Sequence, residues 1–390
     1  MSNIIKVIAD IDIPFLRGVL EPYVQITYLK GKEINAEAVH DADALIIRTR
    51  TRCNASLLEN SRVRFIASAT IGSDHVDVDY CNEKGIFFTN AAGCNSWGVV
   101  QYVISAIFFV SSQLNANPSG KILGIVGAGN VGERLAQTAC KLGFNVLRCD
   151  PPIRETLQKD ADYYKTESAS LRGEIGELYV DRSHLTIDDY VSLDELIEKS
   201  DIVSLHTPLN EATKCMASSD FFRKIKKDAI FINSSRGEVC DEPELVKSGK
   251  RLAAIITDVW TNEPEINNNL LNVSAIATPH IAGYSLEGKI NATRMVVNQL
   301  GSFFEIDNLT KFEIEIPLVP SYNFVPDENR SDYENICALL NIIYAIKDDD
   351  KLLRSNPESF EQLRGNYNYR REFTQEFFDL IKLIKNKSHV

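Results

Sequence analysis

Lys121-Ile-Leu-Gly-Ile-Val-Gly127-Ala-Gly129-Asn-Val-Gly132 is an aliphatic run that breaks into a G-x-G-x-x-G turn. Val131, Leu135, Ala139 and Leu142 then recur along one helical face. Gly143 supplies a C-cap, and Phe144–Cys149 is a second aliphatic run. Glycines alone mark many turns, but strand, turn, helix and strand in this order make a dinucleotide-binding unit. Gly127 permits the tight turn, Gly129 admits a pyrophosphate to the backbone, and Gly132 lets helix pack on strand. Amides at the helix start then face the phosphate charge. Asp150 follows the second strand, 18 residues after Gly132. A carboxylate there accepts from ribose hydroxyls and repels a 2′-phosphate, which favours NAD over NADP. The alternative is a plain turn residue ahead of Pro151-Pro152. Arg148 just before it reads as structural.

Outward from this unit, short β-branched runs alternate with helical patterns. Ile4–Ala9, Ala44–Ile47 and Phe65–Ser68 precede it, and Ile202–Leu205, Ala229–Ile232, Ala253–Asp258 and Ala275–Ala277 follow. Two such series predict two α/β domains with doubly wound parallel sheets. The apolar stretch from Val99 to Leu114 is too short and too interrupted by polar residues for a membrane span. It is read as part of a buried linking helix over 96–114. Residues 153–191 have no clear core face and read as an insertion. After about residue 310, a strand-like run, Ile314–Val319, is followed by helical patterns at Tyr333–Ile346 and Arg371–Ile384.

The chain has 390 residues, 44% of them apolar and 25% charged, with a net charge of −12. That excludes fibrous and disordered classes, and it lacks the basic footprint of a nucleic-acid binder. An acidic chain is also repelled by anionic membrane surfaces, so no membrane partner is expected. Eight cysteines without a C-x-x-C pair read as reduced thiols in a cytoplasmic protein, with no metal site.

Arg236 follows Phe231-Ile-Asn-Ser-Ser, Glu263 sits in Asp258-Val-Trp-Thr-Asn-Glu-Pro264, and His280 sits in Ala277-Thr-Pro-His-Ile-Ala-Gly283. All three lie just beyond strand ends, where open α/β sheets bind ligands. Taking a hydride from an alcohol carbon needs a base for the hydroxyl proton, and histidine suits that role. Glu263 would hold the imidazole, and Arg236 could grip a substrate carboxylate. Each residue alone has a bland reading as a turn or a cap; their occurrence together on one nucleotide domain does not.

The Ser-Ser-Arg-Gly turn, Asp-Val-Trp-x-x-Glu-Pro, Thr-Pro-His-Ile-Ala-Gly and the glycine turn resemble the D-isomer-specific 2-hydroxyacid dehydrogenases. Ala67–Asp77, Ala92-Gly-Cys-Asn95, His280–Lys289 and the tail with Asp348-Asp-Asp and Arg364-Gly-Asn-Tyr-Asn-Tyr-Arg-Arg-Glu372 narrow the resemblance to one branch. It implies two Rossmann-like domains. One is a flavodoxin-like substrate domain over 1–95 and 285–305. The other is an NAD domain over 96–284, with the insert at 153–191. A small α+β dimerisation domain over 311–390 would make a homodimer. Arg236 and Glu263 would support His280 in catalysis. Asp150, Thr207, Ser234, Ser235, Arg236, Asp258 and Gly283 would contact NAD alongside Gly127, Gly129, Asn130, Val131 and Gly132. Thr51, Ser73 and Tyr284 would contact substrate, the alternative for Thr51 and Ser73 being loop capping. Arg48 and Arg50 are candidates for the substrate phosphate, or else a solvated pair. The activity implied is NAD-dependent oxidation of 4-phospho-D-erythronate, an early step of pyridoxine 5′-phosphate synthesis. A dehydrogenase of 3-phospho-D-glycerate or another D-2-hydroxy acid is the alternative. An NAD-sensing co-regulator is the reading from a different class.

Overall fold

Parallel β-strands form two separate sheets in the computed structural model, which describes residues 4–165 and 180–386. The first sheet contains β1 (Lys6–Asp10), β2 (Gln25–Leu29), β3 (Ala44–Ile47), β4 (Phe65–Ser68) and β5 (Phe87–Asn90). Its order is β2-β1-β3-β4-β5, the flavodoxin-like arrangement. The central strands read as unbroken apolar runs because both faces are covered. Alternate residues go to opposite cores. Ala9, Ala44, Ile46 and Phe65 pack on one side with Val296, Val297 and Leu300, and Ile8, Leu45, Ile47 and Ile66 pack on the other. β2 and β5 escaped the sequence reading. Both are edge strands with only partial burial, so their runs, Gln-Ile-Thr-Tyr-Leu and Phe-Phe-Thr-Asn, carry little apolar signal.

The second sheet contains β6 (Ile122–Val126), β7 (Asn145–Cys149), β8 (Ile202–Leu205), β9 (Ile230–Asn233), β10 (Ala254–Thr257) and β11 (Ile276–Ala277). Its order is β11-β10-β9-β8-β6-β7, again all parallel. From β6 the chain steps outward to β7, then returns to β8 on the other side of β6. That reversal opens a crevice at the C-terminal strand ends, and the glycine turn after β6 stands at its lip.

Two compact units result. One is Met1–Asn95 with Leu286–Leu318; the other is Ser96–Ser285 with Val319–Val390. The helix Ser96–Gln113 is buried along nearly its whole length.

The tail corrects two expectations. Ile314–Val319 forms no regular element; Pro317 and Pro320 remove ladder donors, and Leu318 is 95% exposed. The described residues after 319 hold helices and no named strand. Nor does 311–390 stand apart as a third body. Ile336, Leu339, Leu340, Phe377, Ile381 and Ile384 share one core with Val103, Ile107, Leu135 and Ile256. The tail's helices bury their apolar faces in the second unit, so residues 319–386 fold with it. The helical pattern 333–346 also divides into Asp332–Ile343 and Ile346–Ser355.

Candidate active site

Every strand of the second sheet runs the same way, so its loops gather along one edge in strand order. Asp150 follows β7, the glycine turn β6, Thr207 β8, Ser234–Arg236 β9, Asp258 β10 and His280 β11.

The glycine turn is tight. Gly127 has φ +90°, and a Cβ on it would lie 2.7 Å from the His206 carbonyl oxygen. A Cβ on Gly132 would lie 2.0 Å from the Gly127 carbonyl oxygen, so only glycine lets this helix start against this strand. Gly129 faces open space and N-caps the helix Asn130–Leu142 with no side-chain bond. The first amides of that helix, at Asn130, Val131 and Gly132, are therefore left for a ligand. Across the reversal, Thr207 Oγ1 and Ser234 Oγ are buried with no hydrogen-bond partner among the described residues. Orphaned hydroxyls beside an open, uncapped helix start fit a dinucleotide.

Asp150 braces this turn. Its Oδ2 accepts from the Ala128 amide at 2.8 Å, and its Oδ1 accepts from Ile153 N, capping the helix Pro151–Lys159. The remaining lone pairs are what it can offer a ribose. Arg148 forms a two-pronged buried ion pair with Glu133, at 2.7 and 3.1 Å. The described ends of the 153–191 insert pack on the same turn, where Leu157, Leu185 and Tyr190 cluster with Ala128. Its residues 166–179 lie outside the described ones.

Asn233, at the end of β9, builds the Ser-Ser-Arg turn. Its Oδ1 accepts from Ser235 N and Oγ, and its Nδ2 donates to the Arg236 carbonyl. The sequence reading gave it no role. Arg236 then N-caps a single turn, Gly237–Val239, with Nη1 donating to its neighbour's carbonyl at 2.7 Å.

His280 and Glu263 meet directly, Nδ1 to Oε2 at 2.7 Å, both side chains about a fifth exposed (25% and 18%). Glu263 Oε1 accepts from Trp260 N. Burial alone would raise the Glu263 carboxyl, but the charge and hydrogen bond of His280, then Arg364, hold it below its ordinary value. An ionised carboxylate can only accept, so Nδ1 of His280 donates the proton of this bond, and Nε2 is the ring nitrogen left for a substrate. The other histidine near this edge, His206, is pushed down to about 3 by desolvation and lies 2.8 Å from Ser204 Oγ. It stays neutral and is a poor base.

Asp258 is turned inward rather than toward the crevice. Only 1% exposed, it accepts from Thr278 Oγ1 and Ile281 N on one oxygen and Ala282 N on the other, while its carbonyl takes His280 N. His280 has φ +56°, a left-handed backbone that a histidine adopts only under tertiary restraint. Asp258 supplies that restraint.

The tail finishes the loop. Arg370, 8% exposed, donates to the carbonyls of Ile281, Ala282, Tyr284 and Gly98, and Glu372 accepts from Ser285 Oγ and Gly98 N. Gly283 lies inside this clamped loop. Arg364 reaches Tyr284 Oη at 3.0 Å and Glu263 Oε2 at 3.8 Å. The tail motif was quoted from sequence, but nothing local in it marks which loop it serves.

In the first unit, Thr51 is buried and its hydroxyl donates to the Gly31 carbonyl at 3.1 Å. Ser73 lies on the turn after β4, its carbonyl taking Val76 N. Arg48 donates to the Asp12 carbonyl; Arg50 is exposed. Both lower the neighbouring Asp10, whose carboxyl burial nevertheless raises.

A reversal crevice with a glycine turn and a carboxylate-backed histidine defines a class, and residues 177–282 match the family described as "D-isomer specific 2-hydroxyacid dehydrogenase, NAD binding domain". Residues 319–379 match one described only as a domain of unknown function. Erythronate-4-phosphate dehydrogenases from Bacteroides fragilis and Escherichia coli are 41% and 34% identical to the chain, spanning 94% and 95% of it and 97% and 92% of their own lengths. The chain belongs to the erythronate-4-phosphate dehydrogenase family. Among solved structures, NAD+-bound 3-phosphoglycerate dehydrogenase from Entamoeba histolytica shares the fold with a TM-score of 0.62 at 24% identity, covering 81% of this chain and 100% of that one.

Proposed function

We propose that the protein is a cytoplasmic dehydrogenase that oxidises the 2-hydroxyl of 4-phospho-D-erythronate to (R)-3-hydroxy-2-oxo-4-phosphooxybutanoate. The observation that carries the chemistry is the 2.7 Å contact between His280 Nδ1 and Glu263 at the open edge of a nucleotide-binding sheet. Near-full-length similarity to relatives of that name supports the substrate. When bound, NAD accepts the hydride from C2. His280 Nε2 takes the hydroxyl proton as the C2–O bond becomes a carbonyl, and Glu263 stabilises the imidazolium that forms. Arg236 would pair with the substrate carboxylate. Thr207, Ser234 and the helix-start amides would hold the pyrophosphate and the ribose next to it, with Ser235, Asp150 and Gly283 beside them. Tyr284, Thr51 and Ser73 complete the assignment as substrate contacts, and Arg48 and Arg50 supply charge for the phosphate. No helix among the described residues is long and apolar enough to cross a membrane.

Absorbance at the NADH band, with 4-phospho-D-erythronate and 3-phospho-D-glycerate compared side by side, tests this. A 2-oxo acid acceptor is included in case the cofactor stays bound. The four-carbon acid should be preferred, and NAD should serve better than NADP. Preference for 3-phosphoglycerate would sink the substrate assignment while leaving the catalytic pair.

We also propose a homodimer through the C-terminal segment. Exposed large apolar side chains recur along it: Ile316, Leu318, Val325, Ile342, Leu352 and Leu383. Light scattering should give twice the chain mass of 43.7 kDa. A Leu318→Asp/Val325→Asp variant should fall toward the monomer, and a wild-type monomer at micromolar concentration would refute the proposal.

A further inference from the structure

Among the tail's contacts with the His280 loop, one touches the catalytic pair itself. Arg364 lies in the last turn of the short helix Phe360–Gly365, anchored by the fully buried Phe360. Its Nε donates to Tyr284 Oη at 3.0 Å, and its Nη1 lies 3.8 Å from the same Glu263 oxygen that holds His280 Nδ1. The Tyr284 ring is boxed by Tyr367 and Tyr369, with centroids 6.1 and 6.3 Å away, and lies beside the guanidinium.

We propose that Arg364 is a positioning residue of the dehydrogenase site: one rigid guanidinium fixes both the carboxylate that orients His280 and the hydroxyl of Tyr284. The C-terminal segment thereby completes the active site from within the same chain. The proposal rests on the dehydrogenase reading above. A guanidinium suits the task because its nitrogens lie in one plane and diverge, so Nε can donate to Tyr284 while Nη1 stands at ion-pair distance from Glu263. Tyr284 Oη accepts from the guanidinium, which fixes the place of its hydroxyl. Among the described residues, Glu263 without Arg364 would keep His280 and the Trp260 amide, with no cation besides the imidazole to hold its Oε2 in place. Arg370 and Glu372 hold the loop backbone; Arg364 alone among them reaches the reacting group's partner.

The two contacts predict separable effects. Arg364→Met should lower kcat about ten- to a hundredfold, the scale of a slightly misplaced catalytic group, and raise KM for the acid. Arg364→Lys keeps a cation for Glu263 but loses the fork, so it should recover most of kcat while KM stays high. In a Glu263→Gln background, Arg364→Met should cost little more in kcat, since the amide leaves no charge to fix, while the rise in KM should persist. NADH affinity by fluorescence and the melting temperature should be unchanged in Arg364→Lys. A readout apart from turnover is the His280 ring signal in NMR of the cofactor-free protein, identified by its loss in His280→Asn. It should move in Arg364→Met and return toward wild type in Arg364→Lys. Unchanged kcat in Arg364→Met, or an equal fold loss with and without Glu263, would overturn the proposal. A wild-type protein inactive on every D-2-hydroxy acid would instead overturn the function, and the NMR comparison would still decide the contact.

Discussion

His280→Asn should lower kcat by about 10²–10⁴-fold, the span of a lost general base, with NADH binding retained. Asparagine is the better replacement because position 280 has φ +56°, which asparagine tolerates and alanine does not. The Asp258 carbonyl can still take the residue 280 amide, so the loop keeps its path. What disappears is the second ring nitrogen, proposed as the base, and the partner of Glu263. Steady-state kinetics beside a fluorescence titration of NADH separate the two roles of this edge of the sheet. A variant within tenfold of wild-type kcat would remove His280 from the reaction. Loss of NADH binding in parallel would mean that the loop had collapsed, and the Glu263→Gln variant would then carry the test.

Glu133→Ala should destabilise the second unit by about 3–5 kcal/mol, the usual cost of stranding one member of a buried ion pair. Glu133 is fully buried in the first turn of the helix that follows the glycine turn, and Arg148, 8% exposed, sits on β7 two residues before Asp150. Burial would lower the Arg148 guanidinium, but the hydrogen bonds and charge of Glu133 hold it raised. Removing the carboxylate leaves that cation with no partner of comparable strength. The pair also locks helix to strand, so the turn and Asp150 should loosen together and NAD affinity should fall. A Glu133→Met/Arg148→Met double variant should recover much of the stability, because burying neither charge avoids the desolvation cost. Urea unfolding followed by circular dichroism measures all three. A single-variant loss below about 1 kcal/mol would show the pair to be peripheral.

Arg148 illustrates how the sequence and the structure divide the work. A cation beside Asp150 could have argued for a 2′-phosphate and hence NADP. Its pairing with Glu133, one turn into a helix on the neighbouring element, removes it from the ribose site. Asp258 makes the opposite point. The family resemblance implies that it contacts the cofactor, and it does stand at the end of β10. Yet both its oxygens serve the His280 loop, because the adjacent amides of Ile281 and Ala282 turn back onto it.

What the sequence determined by itself was local. Glycine turn, aliphatic strands, capped helix and the Arg, Glu and His loops are each written in a few consecutive residues, because backbone sterics and side-chain alternation act over that range. The half-exposed edge strands β2 and β5 carried no such signature. Only the tertiary structure decided which side chains complete the site. Arg364 meets Tyr284 across 80 residues of chain, and Arg370 meets Ile281 across 89. A guanidinium will pair with any carbonyl or carboxylate the fold brings to it. Nothing in its own neighbourhood names that partner until the apolar faces of the tail's helices have packed into the second unit's core.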